Sequence, residues 1–282
     1  MNIRNMSFFQ YRALVAVVLA AVLWSLGGVL IKSIAWDPVA IAGVRSAIAA
    51  LALAALYPHL RLRASYLLIV GSVGYAIMML LFVIATKLTT AANAIFLYYA
   101  APIAMALFSP WFFGKRMTRR DMTLIGITLA GIGLFFLDHL TVTNLWGNIA
   151  AIVSGVAFAG TALLTRHLGK DAIAPLFVGN VLVAVLALPF IAAIPGPDVS
   201  GWVILVVLGV CQVGCAYALF ADGIKHLPAL NLTVLSGIEP ILNPLWVLLV
   251  LGELPGNWAL LGGMVILASL TLRGVMNARE AR

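Results

Sequence analysis

The chain has 282 residues, of which 64% are hydrophobic and 9% charged. Soluble domains carry about 25% charged residues, so a water-solvated fold has no place for this much apolar surface. The net charge of +8 falls in short connections between apolar runs, not beside aromatics on one face, which points to membrane orientation and away from nucleic-acid binding.

A bilayer core needs about 20 apolar residues per helix, and the chain offers ten such runs. The segment before the first, MNIRNMSFFQYR, is short, and the run after it is too long for a signal-peptide core, so the first span is expected to stay. Span 1 (12–34) carries Trp24-Ser25 and ends near Lys32. Span 2 (38–57) carries Arg45 in its middle. Span 3 (66–86) sets Tyr75, Met78, Met79 and Phe82 at i, i+3, i+4 and i+7, on about one helical face. Span 4 (90–113) has Asn93 near its start, then Tyr98, Tyr99, Pro102 and Pro110. Spans 5 (121–138), 6 (145–166) and 7 (173–194) follow, span 5 with the glycine-rich GITLAGIG. Span 8 (201–223) holds Cys211, Cys215, Tyr217, Phe220 and, near its end, Asp222. Span 9 (229–251) holds Asn231 and the stretch GIEPILNP, with Glu239, Pro240, Asn243 and Pro244, followed by Trp246. Span 10 (257–275) contains GGMVILAS.

None of these runs alternates as barrel strands do, and helices are the alternative that satisfies every backbone group in lipid. The expected fold is an all-α integral membrane protein of ten transmembrane helices. Cys211 and Cys215 read as packing residues, and the four histidines as interfacial groups without metal-ligand spacing. There is no Walker A motif, HExxH or GxSxG, so neither ATP-driven work nor an enzyme is expected, and no cofactor or metal.

Lys and Arg set the orientation. The N-terminus, the loops after spans 2, 4, 6 and 8, and the C-terminus carry 14 bases between Arg4 and Arg282, among them Arg61, Lys115, Arg116, Arg166 and Lys225. The other side has Lys32 and Lys87. The positive-inside rule then puts both termini in the cytoplasm.

The chain also repeats itself. A shift of 138 residues lays Leu81-Phe82 on Leu219-Phe220, Lys87 on Lys225, Asn93 on Asn231, Pro102-Ile103 on Pro240-Ile241 and Gly114 on Gly252. Each unit has five spans, an odd number, so the second enters the membrane inverted. The expected units are 1–139 and 140–282, the inverted-repeat arrangement of many secondary transporters.

The prolines explain the polar residues of span 9. Pro240 has no N–H, so the carbonyl of Ser236 loses its helical partner, and Pro244 does the same to the carbonyl of Pro240. Pro102 and Pro110 repeat the device in span 4. Freed carbonyls at depth must be buried in protein or line a wet cavity, so the breaks read either as cavity elements or as packing kinks. Glu239 and Arg45 sit roughly 15 and 18 Å from the inner ends of their spans at 1.5 Å per residue. Buried ions usually find a partner, so the two are expected to pair, directly or through water. Glu239 then serves substrate or proton handling, or the pair is a structural lock. The rings and thioethers (Trp24, Tyr75, Met78, Met79, Phe82, Tyr98, Tyr99, Tyr217, Phe220, Trp246) read as a stacking surface for a flat apolar group, with Asn93, Asn243 and backbone at its polar end, or as ordinary core.

Taken together, Trp24-Ser25, Arg45, the run Ala91 to Pro102, Glu239-Pro240 with Pro244, and Leu251-Gly252-Glu253 resemble the EamA type of the drug/metabolite transporter superfamily. One departure is visible: span 4 ends in Gly114-Lys115 where many members have Gly-Glu, which puts any acidic role there in doubt. The resemblance implies a central cavity lined by spans 3, 4, 8 and 9. It also implies movement of spans 1, 2, 6 and 7, and contacts between protomers through spans 5 and 10, hence a homo-oligomer. It is similar, among bacterial members, to aromatic amino acid exporters of the YddG type. The expected function is export of a small amphipathic metabolite, an aromatic or apolar amino acid, by alternating access. The rivals are a carrier of a nucleoside, nucleotide sugar or cationic drug, and a membrane binding or assembly protein without flux.

Overall fold

The computed structural model describes residues 8–99, 101, 104, 107, 119–137, 142–168, 171–227 and 235–280. Among them the regular structure is helical throughout. The helices are α1 (Phe8–Ser25), α2 (Gly27–Ser33), α3 (Pro38–Leu56), α4 (Tyr66–Leu88), α5 (Ala91–Tyr98), α6 (Arg119–Leu134), α7 (Val142–Leu168), α8 (Ala174–Ala193), α9 (Val199–Val207), a π-helical stretch (Leu208–Cys215), α10 (Ala216–His226), α11 (Ile238–Leu251) and α12 (Asn257–Glu280).

Local chemistry starts several of them. Asp37 accepts from the backbone of Val39 and Ala40, with Pro38 at the first helical position of α3. Ser65 caps α4 through Leu68 and Thr90 caps α5 through Asn93. Asp198 caps α9 through Gly201. Hydrogen bonds from Ser200 and Gly201 hold its carboxyl below the ordinary carboxylate range, so this cap is present at neutral pH and is lost as pH falls.

Six helical runs are long and apolar enough to cross a bilayer, counting α1–α2 and α9 to α10 as single runs. Met122–Leu134, Ile238–Leu251 and Asn257–Ser269 are shorter apolar helices, and α5 is the described start of span 4. This makes the ten expected spans. Large apolar side chains such as Leu51, Val185 and Leu249 stay exposed, as lipid-facing positions should.

The packing follows the repeat. Span 3 packs on spans 6 and 7, and span 8 packs on spans 1 and 2 in the same way. Span 4 meets span 6 as span 9 meets span 1. Spans 5 and 10 (α6 and α12) lie against each other: Thr128 donates to Ser269 Oγ at 2.8 Å, and a Cβ on Gly262 would stand 2.6 Å from the carbonyl of Gly131. Gly131 and Gly262 give this pair its close approach.

Two spans depart from the plain helices read from the sequence: span 1 breaks at Leu26 and span 8 widens to a π-helix over Leu208–Cys215. In span 9, where the prolines lead a break to be expected, helix α11 begins at Ile238, after a turn at Gly237. Gly209 and Gly214 give the π segment its close approach to α3, where Cβ atoms would meet the carbonyl of Arg45 at 2.8 Å and Ala52 at 2.8 Å. Cys211 and Cys215 fall in this segment as free thiols.

Candidate functional site

The two helix breaks expected from proline lie at repeat-equivalent positions and touch. Helix α5 stops at Tyr98 with Tyr99 in a turn, and Gly237, 138 residues on, is the turn before α11. Pro240 leaves the carbonyl of Ser236 without its helical donor, and the hydroxyl of Tyr99 stands 2.8 Å from that oxygen. The same hydroxyl is 2.7 Å from Glu239 Oε2. Pro102 and Pro110, the partners of this device in span 4, lie outside the described residues, as does Asn231.

The expected direct pair between Glu239 and Arg45 is not formed. The Arg45 guanidinium, 1% exposed, donates to Gln212 Oε1 at 3.3 Å and reaches Met79 Sδ at 3.6 Å. Its Nε has no partner. Glu239, 8% exposed, has Tyr99 instead. The reason is azimuth. Arg45 sits on α3, which packs on α4, α8, α9 and the π segment, whereas α11 packs on α1, α2 and α5. Equal depth does not bring side chains together when their helices are not neighbours.

The rings read from the sequence meet one another in two clusters. Trp24 stands against Tyr217 (5.2 Å between centroids) and Phe220 (5.0 Å), and Tyr217 against Tyr75 (5.8 Å). Phe82 meets Tyr98 at 5.3 Å, and Tyr98 meets Tyr99 at 6.0 Å and Phe158 at 5.5 Å. The Tyr98 hydroxyl reaches Met78 Sδ at 3.7 Å. The Tyr75 hydroxyl accepts from Asn180 at 3.1 Å. Tyr75, Met78 and Met79 are buried, while Trp24, Phe82, Tyr98, Tyr99, Tyr217 and Phe220 are half-buried. Offset and edge-on ring geometries of this kind suit both mutual packing and stacking of a flat guest.

Polar atoms flank the break in span 1 at Leu26. Trp246 donates to Ser25 Oγ at 3.0 Å, and Ser25 donates to the carbonyl of Val22 at 2.7 Å. Asn243 is fully buried, with both amide atoms unpartnered. A Cβ on Gly28 would stand 2.9 Å from Asn243 Cγ, and one on Gly27 would stand 2.8 Å from Gln212 Nε2. Gln212, Gly27 and Gly28 were not singled out in the sequence. The signal was there: Gln212 is the one carboxamide of span 8.

Asn93 is drawn elsewhere. At the start of α5 its Nδ2 donates to Thr89 Oγ1 and Asn148 Oδ1, both at 3.3 Å. This end of the bundle is clasped by charge: Lys32 Nζ lies 2.6 Å from Glu253 Oε2 and donates to the carbonyl of Thr89 at 2.9 Å. Glu253 Oε1 accepts from the backbone of Ala91 at 2.7 Å, and Lys87 donates to the carbonyl of Ile34. Helices α2, α4 and α11 end here and α5 begins here, so α1 begins and α12 ends at the opposite face.

Polytopic bundles built from repeats, with helices broken near their middles, are the architecture of secondary transporters. The EamA-like transporter family model matches twice, over residues 11–137 and 145–274, and the chain belongs to this family. Among similar proteins are an uncharacterized inner membrane transporter, YicL, of Salmonella typhimurium (29% identity, 77% of this chain, 75% of the relative) and the threonine/homoserine exporter RhtA of the same species (27%, 57% and 54%). An uncharacterized Bacillus subtilis transporter, YxxF, is 24% identical over 68% of this chain and 64% of its own length. The aligned segments thus span between half and two thirds of RhtA and YxxF. A solved crystal structure superposes with a TM-score of 0.68 at 20% identity, covering 95% of this chain and 98% of that one; it speaks for the fold alone.

Proposed function

We propose that this transporter, built of two repeats, 1–139 and 140–282, exports amino acids from a bacterial cell, with its termini in the cytoplasm and one group of helices rocking against another around the rings. The observation that carries this reading is Arg45: a buried guanidinium with an unpartnered Nε and, among the described residues, no carboxylate bonded to it. A buried cation of this kind is costly unless it is paired. A substrate carboxylate is a fitting partner, since guanidinium binds carboxylate in a planar, two-pronged geometry. The half-buried rings Trp24, Tyr217 and Phe220 favour an apolar or aromatic side chain, as in exporters of the YddG type. Glu239 offers its carboxyl to the ammonium end. The names of the RhtA relatives support amino acid export and favour a short polar side chain instead.

Binding to the purified protein in lipid separates these readings. Calorimetry with phenylalanine, tryptophan, threonine and homoserine ranks side chains, and phenylalaninamide, which lacks the carboxylate, tests the Arg45 contact. The proposal expects phenylalanine to bind and phenylalaninamide to lose at least tenfold in affinity. Equal binding of the two would remove Arg45 from carboxylate recognition.

A further inference from the structure

The Tyr99 hydroxyl faces two acceptors and has one proton to give. The carbonyl of Ser236, stripped of its donor by Pro240, is 2.8 Å away and Glu239 Oε2 is 2.7 Å away. If Glu239 is ionised, the phenol can serve only one of them. The other is left without a protein donor among the described residues, at a buried or half-buried position, a costly state. If Glu239 carries a proton, every group is satisfied: Glu239 donates to Tyr99 Oη, and Tyr99 donates to Ser236. No cation competes for the carboxyl among the described residues. Arg45 is engaged by Gln212 and Met79, and Lys32 by Glu253 at the far end of α2. The titratable groups that face Glu239 are Tyr98 and Tyr99 on α5 and Tyr217 on α10, and all three are neutral phenols.

We infer that Glu239, Tyr99 and the Ser236 carbonyl form a proton-holding relay that couples transport to proton exchange. The relay joins the break after α5 to the break before α11, one from each repeat. Span 4 packs chiefly on span 6 and span 9 chiefly on span 1, so rocking of one of these groups against the other separates Tyr99 from Ser236 and Glu239. The carboxyl then loses its phenol acceptor and gives its proton to water on the side that has opened. The resulting carboxylate takes the ammonium group of the substrate, and when the substrate leaves, a proton from the other side returns to Glu239. One proton moves against one amine-bearing solute, with no other reactant. The inference rests on the transporter reading, and the amine on the amino-acid reading.

Two measurements test it separately. Infrared spectra of the reconstituted protein without substrate, at neutral pH, report the protonated-carboxyl stretch. The expected result is a band present in the native protein, absent in Glu239→Gln, and shifted to higher frequency in Tyr99→Phe, where the phenol acceptor is gone. A native spectrum indistinguishable from Glu239→Gln would overturn the relay, and so would a band unmoved in Tyr99→Phe. Proteoliposomes with an imposed pH gradient then test coupling, using whichever of phenylalanine, tryptophan, threonine or homoserine exchanges across the native protein. The expected result is accumulation against the solute gradient, collapsing when a protonophore is added. Uptake that stops at equal concentrations on both sides would overturn coupling. Failure of all four solutes to exchange strikes the amino-acid reading, while the infrared result still decides the proton site.

Discussion

Arg45 is the residue on which two accounts of the site diverge most. As a structural group it would hold α3 to the π segment through Gln212, and replacing it would destabilise the fold. As a substrate anchor it is a cost to the empty protein, because a buried charge with few partners is often no more stable than an apolar side chain of similar volume. Arg45→Met is expected to unfold at the same temperature as the native protein or higher, while amino acid affinity falls. A lost hydrogen bond to a charged group is worth about 1.5–3 kcal/mol, or roughly tenfold to more than a hundredfold in affinity. Thermal unfolding and calorimetry on the same preparation check both halves, and a lower unfolding temperature with unchanged binding would assign Arg45 to structure. Arg45 and Glu239 were legible in the sequence because ions in apolar runs stand out. Their partners were not. Depth along a helix can be counted from a sequence, but the side of the helix that meets a neighbour depends on packing, which is why Arg45 meets Gln212 and Glu239 meets Tyr99.

At the scale of the helix, proline was the most informative letter. The orphaned carbonyl of Ser236 follows from Pro240 alone, and the structure fills it with the Tyr99 hydroxyl at 2.8 Å. Pro240→Ala would restore a backbone N–H to that position and compete with Tyr99 for the same oxygen. The variant is expected to gain about 1 kcal/mol of stability, the usual net worth of one hydrogen bond, and to transport more slowly, as measured by chemical unfolding and solute exchange. The π-helix of span 8 left no comparable mark, since α- and π-helices bury the same apolar residues and differ by one residue per turn. The break at Leu26 likewise has no proline to announce it, only the Gly27-Gly28 pair. The clasp of Lys32 and Glu253 belongs to this scale as well. Glu253 joins the end of α11 to the start of α5 by accepting from Ala91 N at 2.7 Å. In Glu253→Gln the Ala91 amide is expected to exchange hydrogen at least tenfold faster, with amides of α7 unchanged. Equal exchange rates would mean that the clasp does not hold this end closed.

For the whole molecule, the repeat legible as a 138-residue shift reappears as matched packing: span 3 on spans 6 and 7, span 8 on spans 1 and 2. Ten spans could be counted because bilayer thickness fixes their length. Lys32 and Lys87, the two bases read as sharing one face, are drawn together at one end of the bundle. A reporter fused after Arg282 is expected to be active in the cytoplasm; activity on the opposite side would reverse the orientation. The sequence could not say how the charged groups lie in cross-section. That arrangement leaves a guanidinium with Gln212 and a carboxyl with Tyr99, unpaired with each other beside half-buried rings, and it makes this member of the family a candidate amino acid carrier. The most direct measurement is counterflow in proteoliposomes loaded with unlabelled phenylalanine, following uptake of the labelled amino acid. Transient accumulation by the native protein, absent from empty liposomes and lost in Arg45→Met, is the predicted result. Native protein that shows no counterflow with phenylalanine, tryptophan, threonine or homoserine would contradict the claim that amino acids are its cargo.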